Sequence, residues 1–223
     1  NVEHGKYRFL YLSPERLQQE VVLERIKNLN INLIAIDEAH CISQWGFDFR
    51  PAYLNCAVLR DLLPEVPMMA LTATATPEVM KDIEDLLRLQ DPVIFRDSIE
   101  RSNITYSVLE TEDKNYRLIR LLQRHPGSAI VYVQTRRATV LLAKYLKDRK
   151  ISAAAFHGGM SAEDKQSRLR QWQGGGLRVM TATNAFGMGI DKADVRLVVH
   201  FEIPETIEHY FQEAGRAGRD GKP

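Results

Sequence analysis

Short apolar runs alternate with helix-periodic stretches along all 223 residues, and this alternation predicts an α/β fold with parallel sheets flanked by helices. Two further observations refine that expectation. Helix-start and helix-stop residues fall between the runs, so the connections between them are helical crossovers. The charge balance also changes sign: up to Glu100 there are 10 Lys and Arg against 16 Asp and Glu, a net of −6, and from Arg101 onward 20 against 13, a net of +7. A polar stretch from Asp97 to Asn103 marks the change, and the expected lobes are residues 1–98 and 99–223.

Taken in order, Tyr7 to Leu12, Leu33 to Ile36, Pro67 to Leu71 and Pro92 to Phe95 read as strands, with helical segments after Pro14, Arg50 and Pro77. Thr76-Pro77-Glu78 is a well-formed helix start: the Thr hydroxyl can cap free amides, Pro suits the first helical position, and Glu favours the positive end of the dipole. In the second lobe Ile130 to Val133 leads into a helix with Ala138, Leu141, Leu142, Tyr145 and Leu146 on one face. A strand follows at Ala153 to Phe156. Ser161 caps the next helix, which stops at Gly174-Gly175-Gly176, before strands Leu177 to Thr181 and Val195 to Phe201 and a helix from about Pro204. In parallel sheets of this kind ligands gather beyond the carboxyl ends of the strands.

Composition narrows the class. With 44% hydrophobic and 26% charged residues the chain reads as a soluble globular protein. Apolar runs fall short of the roughly 18 residues of a membrane span, and Asn-Val-Glu-His-Gly-Lys has neither an initiator Met nor a signal-peptide layout. The expectation is a cytoplasmic fragment, nucleoid-associated in a bacterial source, with no membrane partner. Cys41 and Cys56 lack metal-ligand spacing and read as reduced thiols. A basic half beside an acidic half suits a polyanionic partner.

Asp37-Glu38-Ala39-His40 follows a buried strand, so two adjacent carboxylates emerge at a sheet edge. Such a pair fits nucleoside triphosphate hydrolysis: one carboxylate holds Mg²⁺ through its water shell and the other orients the attacking water. Ala70-Leu71-Thr72-Ala73-Thr74-Ala75-Thr76 ends another strand in small residues and hydroxyls, able to exchange partners with nucleotide state. Near the end, Gln212 and Arg216 lie four apart, with Arg219 close behind. An amide and two guanidinium forks suit a γ-phosphate, although the same residues also describe an exposed basic helix end.

These motifs, in this order, resemble superfamily-2 helicases. Asp-Glu-Ala-His, the Thr-Ala-Thr segment and Gln-Glu-Ala-Gly-Arg-Ala-Gly-Arg-Asp-Gly look like motifs II, III and VI. Cys41-Ile-Ser-Gln-Trp-Gly-Phe-Asp-Phe-Arg-Pro-Ala-Tyr53 resembles the aromatic-rich loop of the RecQ family, and Ala185-Phe-Gly-Met-Gly-Ile-Asp-Lys192 its motif V. The similarity runs from Ser13 to Gly221.

The resemblance implies two RecA-like lobes, the first incomplete, forming a DEAH-box motor that uses ATP and Mg²⁺ in the cleft between them. It implies 3′–5′ translocation on single-stranded DNA, unwinding of partially duplex DNA, and work in DNA repair and recombination. Asp37 takes the magnesium role, through water, Glu38 activates the attacking water, and His40 couples nucleotide to DNA. Gln212, Arg216 and Arg219 face the phosphates, with Arg219 as arginine finger, while Gly187, Gly189 and Asp191 approach the nucleotide and Asp191 its ribose. Trp45, Phe47, Phe49 and Arg50 form a stacking and sensing loop for unpaired bases, the alternative being a small hydrophobic plug. Ser13, Arg16, Thr135, Arg136, His157 and Thr183 lie along the DNA phosphates.

Some positions depart from the family pattern. Gly-x-x-x-x-Gly-Lys-Ser/Thr does not occur in these residues, nor does the adenine-reading glutamine motif, so negligible turnover is expected from the 223 residues alone. An incomplete first lobe is also expected to expose apolar faces. Phe47 stands where relatives often carry His, and Ser102 where they often carry Pro before Asn103. An RNA helicase would share the phosphate chemistry but not the Trp45 to Arg50 loop, and a non-catalytic nucleic-acid module would not need the hydrolytic set.

Overall fold

The computed structural model describes residues 7–46, 48–98, 100–187 and 190–222. Its contacts divide the chain into two units, residues 1–96 and 97–223.

In the first unit a 3-10 turn, Pro14–Gln18, leads into α1 (Glu20–Lys27), and β1 (Ile34–Ile36) runs into a second 3-10 turn, Ala39–Ile42. The stretch after Arg50 begins as 3-10 turns over Pro51–Ala57 and becomes regular only in α2 (Val58–Leu62). β2 (Met68–Ala70) then pairs parallel to β1 with Ile36 opposite Ala70, and α3 (Pro77–Leu86) follows. Thr76 caps α3 as its sequence indicates, accepting the Val79 amide at 3.3 Å. Such a cap contributes about 1 kcal/mol.

Two expected strands do not form. Tyr7 to Leu12 and Pro92 to Phe95 have no ladder partner among the described residues and expose Phe9, Tyr11, Val93 and Phe95. Apolar residues with strand propensity still need a neighbouring backbone to bond, and propensity alone cannot supply one. The two-stranded sheet is also covered on one side: Ile34 and Ile36 are buried while Ala35 between them is exposed. Leu17, Ile26, Ile42, Leu59, Val79 and Ile83 complete the core on the covered side.

The second unit opens with α4 (Lys114–Arg124), a helix that the strand-and-helix reading of the sequence passed over. Asp113 caps it through the Tyr116 amide at 2.9 Å, and Leu118 and Leu122 are its buried stripe. Then come β3 (Ser128–Tyr132), α5 (Arg136–Asp148), β4 (Ala153–Phe156), α6 (Ala162–Gln173), β5 (Val179–Ala182), β6 (Val195–His200) and α7 (Ile207–Ala214). The four strands are parallel in the order β4-β5-β3-β6.

Period-two alternation sends Ala129, Val131 and Val133 to one side of this sheet, where Leu118, Leu122, Leu142 and Leu146 of α4 and α5 cover them. Ile130 and Tyr132 go to the other side, with Trp172 of α6 and Phe186. Helices on both faces therefore bury this sheet, as its continuous apolar runs require. The apolar face of α5 is corrected in one respect. Leu142, Ala143 and Leu146 are buried with Thr139, whereas Leu141 points out to solvent. Positions 139, 142, 143 and 146 form one i, i+3, i+4, i+7 stripe, and 141 lies off it.

Candidate active site

In the first unit the carboxylate pair sits where β1 ends. Asp37 is exposed, and its Oδ1 accepts the Glu38 amide at 2.9 Å. Glu38 adopts a left-handed backbone conformation, φ 51°, which costs a non-glycine residue about 1–2 kcal/mol and is held only by its surroundings. The restraint is visible in the next residues. Leu71 donates its amide to the Ile36 carbonyl at 2.8 Å, and Ala39 donates to the Leu71 carbonyl at 2.9 Å, so the end of β2 grips both sides of the turn.

His40 adds a side-chain link, its Nδ1 lying 3.0 Å from Thr72 Oγ1 and 3.5 Å from Glu38 Oε2. The Thr72 hydroxyl donates to the Thr74 carbonyl at 3.2 Å, so toward His40 it accepts, and the imidazole carries its proton on Nδ1. Thr72 is thus joined to the carboxylate turn. The sequence flagged its segment as hydroxyl-rich but could not name its partner.

The aromatic loop is fastened to the same turn. Arg50 donates its amide to the Cys41 carbonyl at 2.8 Å, Trp45 donates its amide to Ser43 Oγ at 3.1 Å, and Ser43 Oγ donates to Asp82 Oδ2 at 2.6 Å. Gly46 passes so close to His40 that a Cβ there would lie 2.5 Å from the His40 carbonyl oxygen. Trp45 is 80% exposed, which rules out the plug reading for that side chain, while Phe49 and Arg50 are half-buried. Phe47 lies outside the described residues. Asp48, given no role by the sequence reading, pairs with Arg50 at 3.1 Å.

Ser13 and Arg16 are exposed on the first 3-10 turn. Glu15 between them is held below the usual carboxylate range by its backbone hydrogen bond, the Ser13 hydroxyl and, more weakly, the charge of Arg50. The turn is therefore within electrostatic reach of the aromatic loop. Cys41 and Cys56 are buried free thiols, pushed up to about 12 and about 11 chiefly by desolvation.

In the second unit three of the expected backbone contacts come together. Thr135, Thr183 and His157 directly follow or lie just beyond the ends of the adjacent strands β3, β5 and β4. Thr135 caps α5, accepting the Ala138 amide at 3.1 Å. Arg136 is exposed and folds over the glycine pair after His157, where a Cβ on Gly159 would lie 2.9 Å from its Nη1. Half-buried His157 keeps a buried Nδ1 with no hydrogen-bond partner among the described residues. Thr183 is 7% exposed, and its hydroxyl oxygen accepts the Ala185 amide at 3.4 Å.

Gln212 is half-buried on α7, and Thr206 caps that helix through the His209 amide at 3.1 Å, so it starts slightly later than the proline suggests. Arg216 lies past its end, buried beneath Gly187; a Cβ on Gly187 would stand 3.5 Å from its Nη2. Its Nε has no partner among the described residues. A desolvated guanidinium with an unused donor fits an anionic ligand such as a nucleotide phosphate. Arg219 is more open and pairs with exposed Asp191, Nη1 to Oδ1 2.9 Å, bringing together two residues the motifs assign to nucleotide contact. Gly189 lies outside the described residues.

Comparison with known proteins points to a family. Residues 1–83 match the DEAD/DEAH box helicase family and residues 113–221 the helicase conserved C-terminal domain. The chain is 48% identical over 227 residues to RecS of Bacillus subtilis, covering all of this chain and 46% of that one. It is 42% identical to the ATP-dependent DNA helicase RecQ of Bacillus subtilis, covering 99% of this chain and 38% of that one. The chain belongs to the RecQ-type DEAD/DEAH box helicases. It spans between a third and a half of the length of these relatives, 46% and 38%, and 35% of RecQ from Pasteurella multocida.

Solved helicase structures share the fold. Dbp5 of S. cerevisiae bound to RNA and ADP BeF3 has a TM-score of 0.67 at 22% identity, covering 90% of this chain and 55% of that one. The Mycobacterium smegmatis helicase Lhr bound to ssDNA and AMP-PNP has 0.67 at 23%, covering 92% and 29%. No helix among the described residues of this RecQ-type chain is long and apolar enough to cross a membrane.

The DEAH histidine gives the chain a pH signature. Burial lowers the His40 pKa below its ordinary 6.5, outweighing the Asp48 and Asp37 charges that raise it, while Arg50 adds to the lowering. A lowered folded-state value means that folding favours the neutral ring. His40's stabilising contribution is present above pH 6.5 and is lost as pH falls through the lowered value. The thermal midpoint of the first unit should fall on acidification below pH 6.5, and His40→Gln should flatten that fall in a pH series of melts. An unchanged slope would assign the acid sensitivity to other groups.

Proposed function

We propose that the whole protein is an ATP-dependent DNA helicase that moves 3′–5′ on single-stranded DNA and unwinds duplex in repair and recombination. The observation that carries this reading is the Asp37–Glu38 turn, held in a left-handed conformation and joined through His40 to Thr72. A polar link of that kind lets a change at the nucleotide alter the neighbouring strand end. Asp37, exposed with Oδ2 available, suits a hydrated Mg²⁺, and Glu38 orients the attacking water. When bound, the ion would neutralise charge on the phosphates. In the second unit Gln212, Arg216 and Arg219 serve the phosphates and Gly187, Gly189 and Asp191 the rest of the nucleotide.

Single-stranded DNA would run over Trp45, Phe47, Phe49 and Arg50, with Ser13, Arg16, Thr135, Arg136, His157 and Thr183 along its phosphates. Those hydroxyls, imidazole and guanidinium groups can position a strand without reading its sequence. Of the second-unit set, Thr135 and Arg136 are exposed and His157 half-buried, whereas Thr183 is buried.

ATP turnover by the whole protein, measured with single-stranded DNA and with RNA of equal length, tests the reading. Stimulation by DNA well above that by RNA is expected. An RNA-translocating reading is favoured by the likeness to Dbp5 solved with RNA, and preferential stimulation by RNA would establish it instead. The 223 residues alone should hydrolyse ATP negligibly, since their sequence holds no phosphate-cradling loop with its lysine. Robust turnover abolished by Glu38→Gln in these residues alone would overturn that expectation.

A further inference from the structure

The link between the DEAH turn and the aromatic loop contains three metal-ligating side chains that the hydrolytic reading does not use together. His40 Nε2 lies 3.6 Å from Cys41 Sγ, Cys41 Sγ lies 3.8 Å from Asp48 Oδ2, and one ligand atom from each of the three residues falls within 4.8 Å of the others. We propose that His40, Cys41 and Asp48 form a binding site for a thiophilic divalent cation of the zinc class.

Geometry, donor type and the imidazole tautomer favour it. With metal–ligand bonds of about 2.0–2.3 Å, the donors of a tetrahedral zinc site stand roughly 3.3–3.8 Å apart. Two of the separations here already match, without an ion to draw the atoms together. Thiolate, imidazole and carboxylate are the ligand types that zinc accepts, and three protein ligands leave a fourth position for water. The imidazole is presented in the right tautomer: Thr72 Oγ1 accepts from Nδ1, leaving the Nε2 lone pair on the side of Cys41. A hydrogen bond that holds the non-ligating N–H is the usual outer-shell arrangement around a metal-bound histidine, and here a hydroxyl supplies it.

Burial distinguishes this cluster from a chance surface grouping. His40 and Cys41 are buried, while Asp48 stands half-exposed on the loop and gives an ion its way in. On binding, the Cys41 thiol releases its proton to solvent and its sulfur donates to the ion; His40 and Asp48 donate lone pairs unchanged, and no electron is transferred. The cost is the Asp48–Arg50 pair, because the ion takes the carboxylate that Arg50 now holds at 3.1 Å. An occupied site would tie Asp48 to the DEAH turn and release Arg50 from that carboxylate. The proposal rests on these three side chains and not on the reading of the chain as a DNA motor.

Cobalt(II) titrated into the purified 223-residue chain provides the test, since a tetrahedral thiolate site gives an intense sulfur-to-cobalt charge-transfer band and visible d–d bands. One equivalent should produce both, and zinc should displace them. Cys41→Ser should abolish the charge-transfer band and Cys56→Ser should keep it. Thr72→Val, which removes the outer support together with the hydroxyl's bonds to the Thr74 backbone, should weaken cobalt binding by about 10–100-fold. Asp48→Asn alters a half-exposed residue and keeps its size, so it remains readable if Cys41→Ser fails to fold; at least tenfold weaker binding is expected. Absence of the band in the wild-type chain, its loss in Cys56→Ser, its survival in folded Cys41→Ser, or unchanged affinity in Asp48→Asn would each overturn the site.

Discussion

Arg219→Ala in the whole protein should lower ATP turnover by about 10³-fold or more while changing nucleotide affinity far less, because an arginine finger acts on charge that develops in the transition state. The local geometry makes this a clean substitution. Arg219 is an exposed side chain whose ion-pair partner at 2.9 Å, Asp191, is itself exposed, and surface pairs of that kind contribute only about 0–1 kcal/mol. Swinging toward a phosphate therefore costs little, and truncation leaves no buried hole. Arg216 differs, being buried beneath Gly187, so its removal would mix lost chemistry with lost packing. Steady-state turnover together with binding of a fluorescent nucleotide separates the cases. Equal losses in affinity and turnover would assign Arg219 to ground-state binding. Glu38→Gln should likewise keep nucleotide binding and lose turnover, since the amide keeps the shape of the side chain without its charge.

Replacing Trp45 and Phe47 with Ala should uncouple DNA from hydrolysis: basal turnover persists, while stimulation by single-stranded DNA and unwinding collapse. The route is short. Trp45 is held through its amide by Ser43, Gly46 presses against the His40 carbonyl, and Arg50 closes the loop onto Cys41. A base stacking on the exposed indole would thus pull on the turn that carries Glu38 and His40. Equilibrium DNA affinity should fall only modestly, because phosphate contacts supply most sequence-independent binding and each stacked base adds about 1–3 kcal/mol. Turnover with and without DNA, alongside a salt titration of binding, is the measurement. Retained stimulation would reject the sensor role. For Trp45→Ala alone the thermal midpoint should not move, since an 80% exposed side chain contributes little packing.

The sequence by itself determined the features whose physics is local. Thr76 and Ser161 cap α3 and α6 because a short hydroxyl side chain beside its own helix start needs no distant partner. Continuous apolar runs fixed β3 to β6 as buried strands of a parallel sheet, and the motifs placed Asp37 and Glu38 where β1 ends. Tertiary structure decided everything that depends on a partner far away in the chain. Tyr7 to Leu12 and Pro92 to Phe95 carry strand composition but pair with nothing among the described residues, and Leu141 turned outward because α5 rests on Leu142 and Leu146. Only the strand order β4-β5-β3-β6 brings Thr135, Thr183 and His157 to one sheet edge. Only the β1–β2 pairing sets Thr72 against His40, and only the return of the aromatic loop sets Asp48 against Cys41. Hydrogen bonds within a turn can be read from neighbouring letters, whereas strand order and side-chain pairing follow from which apolar faces bury each other, a property of the whole packed unit.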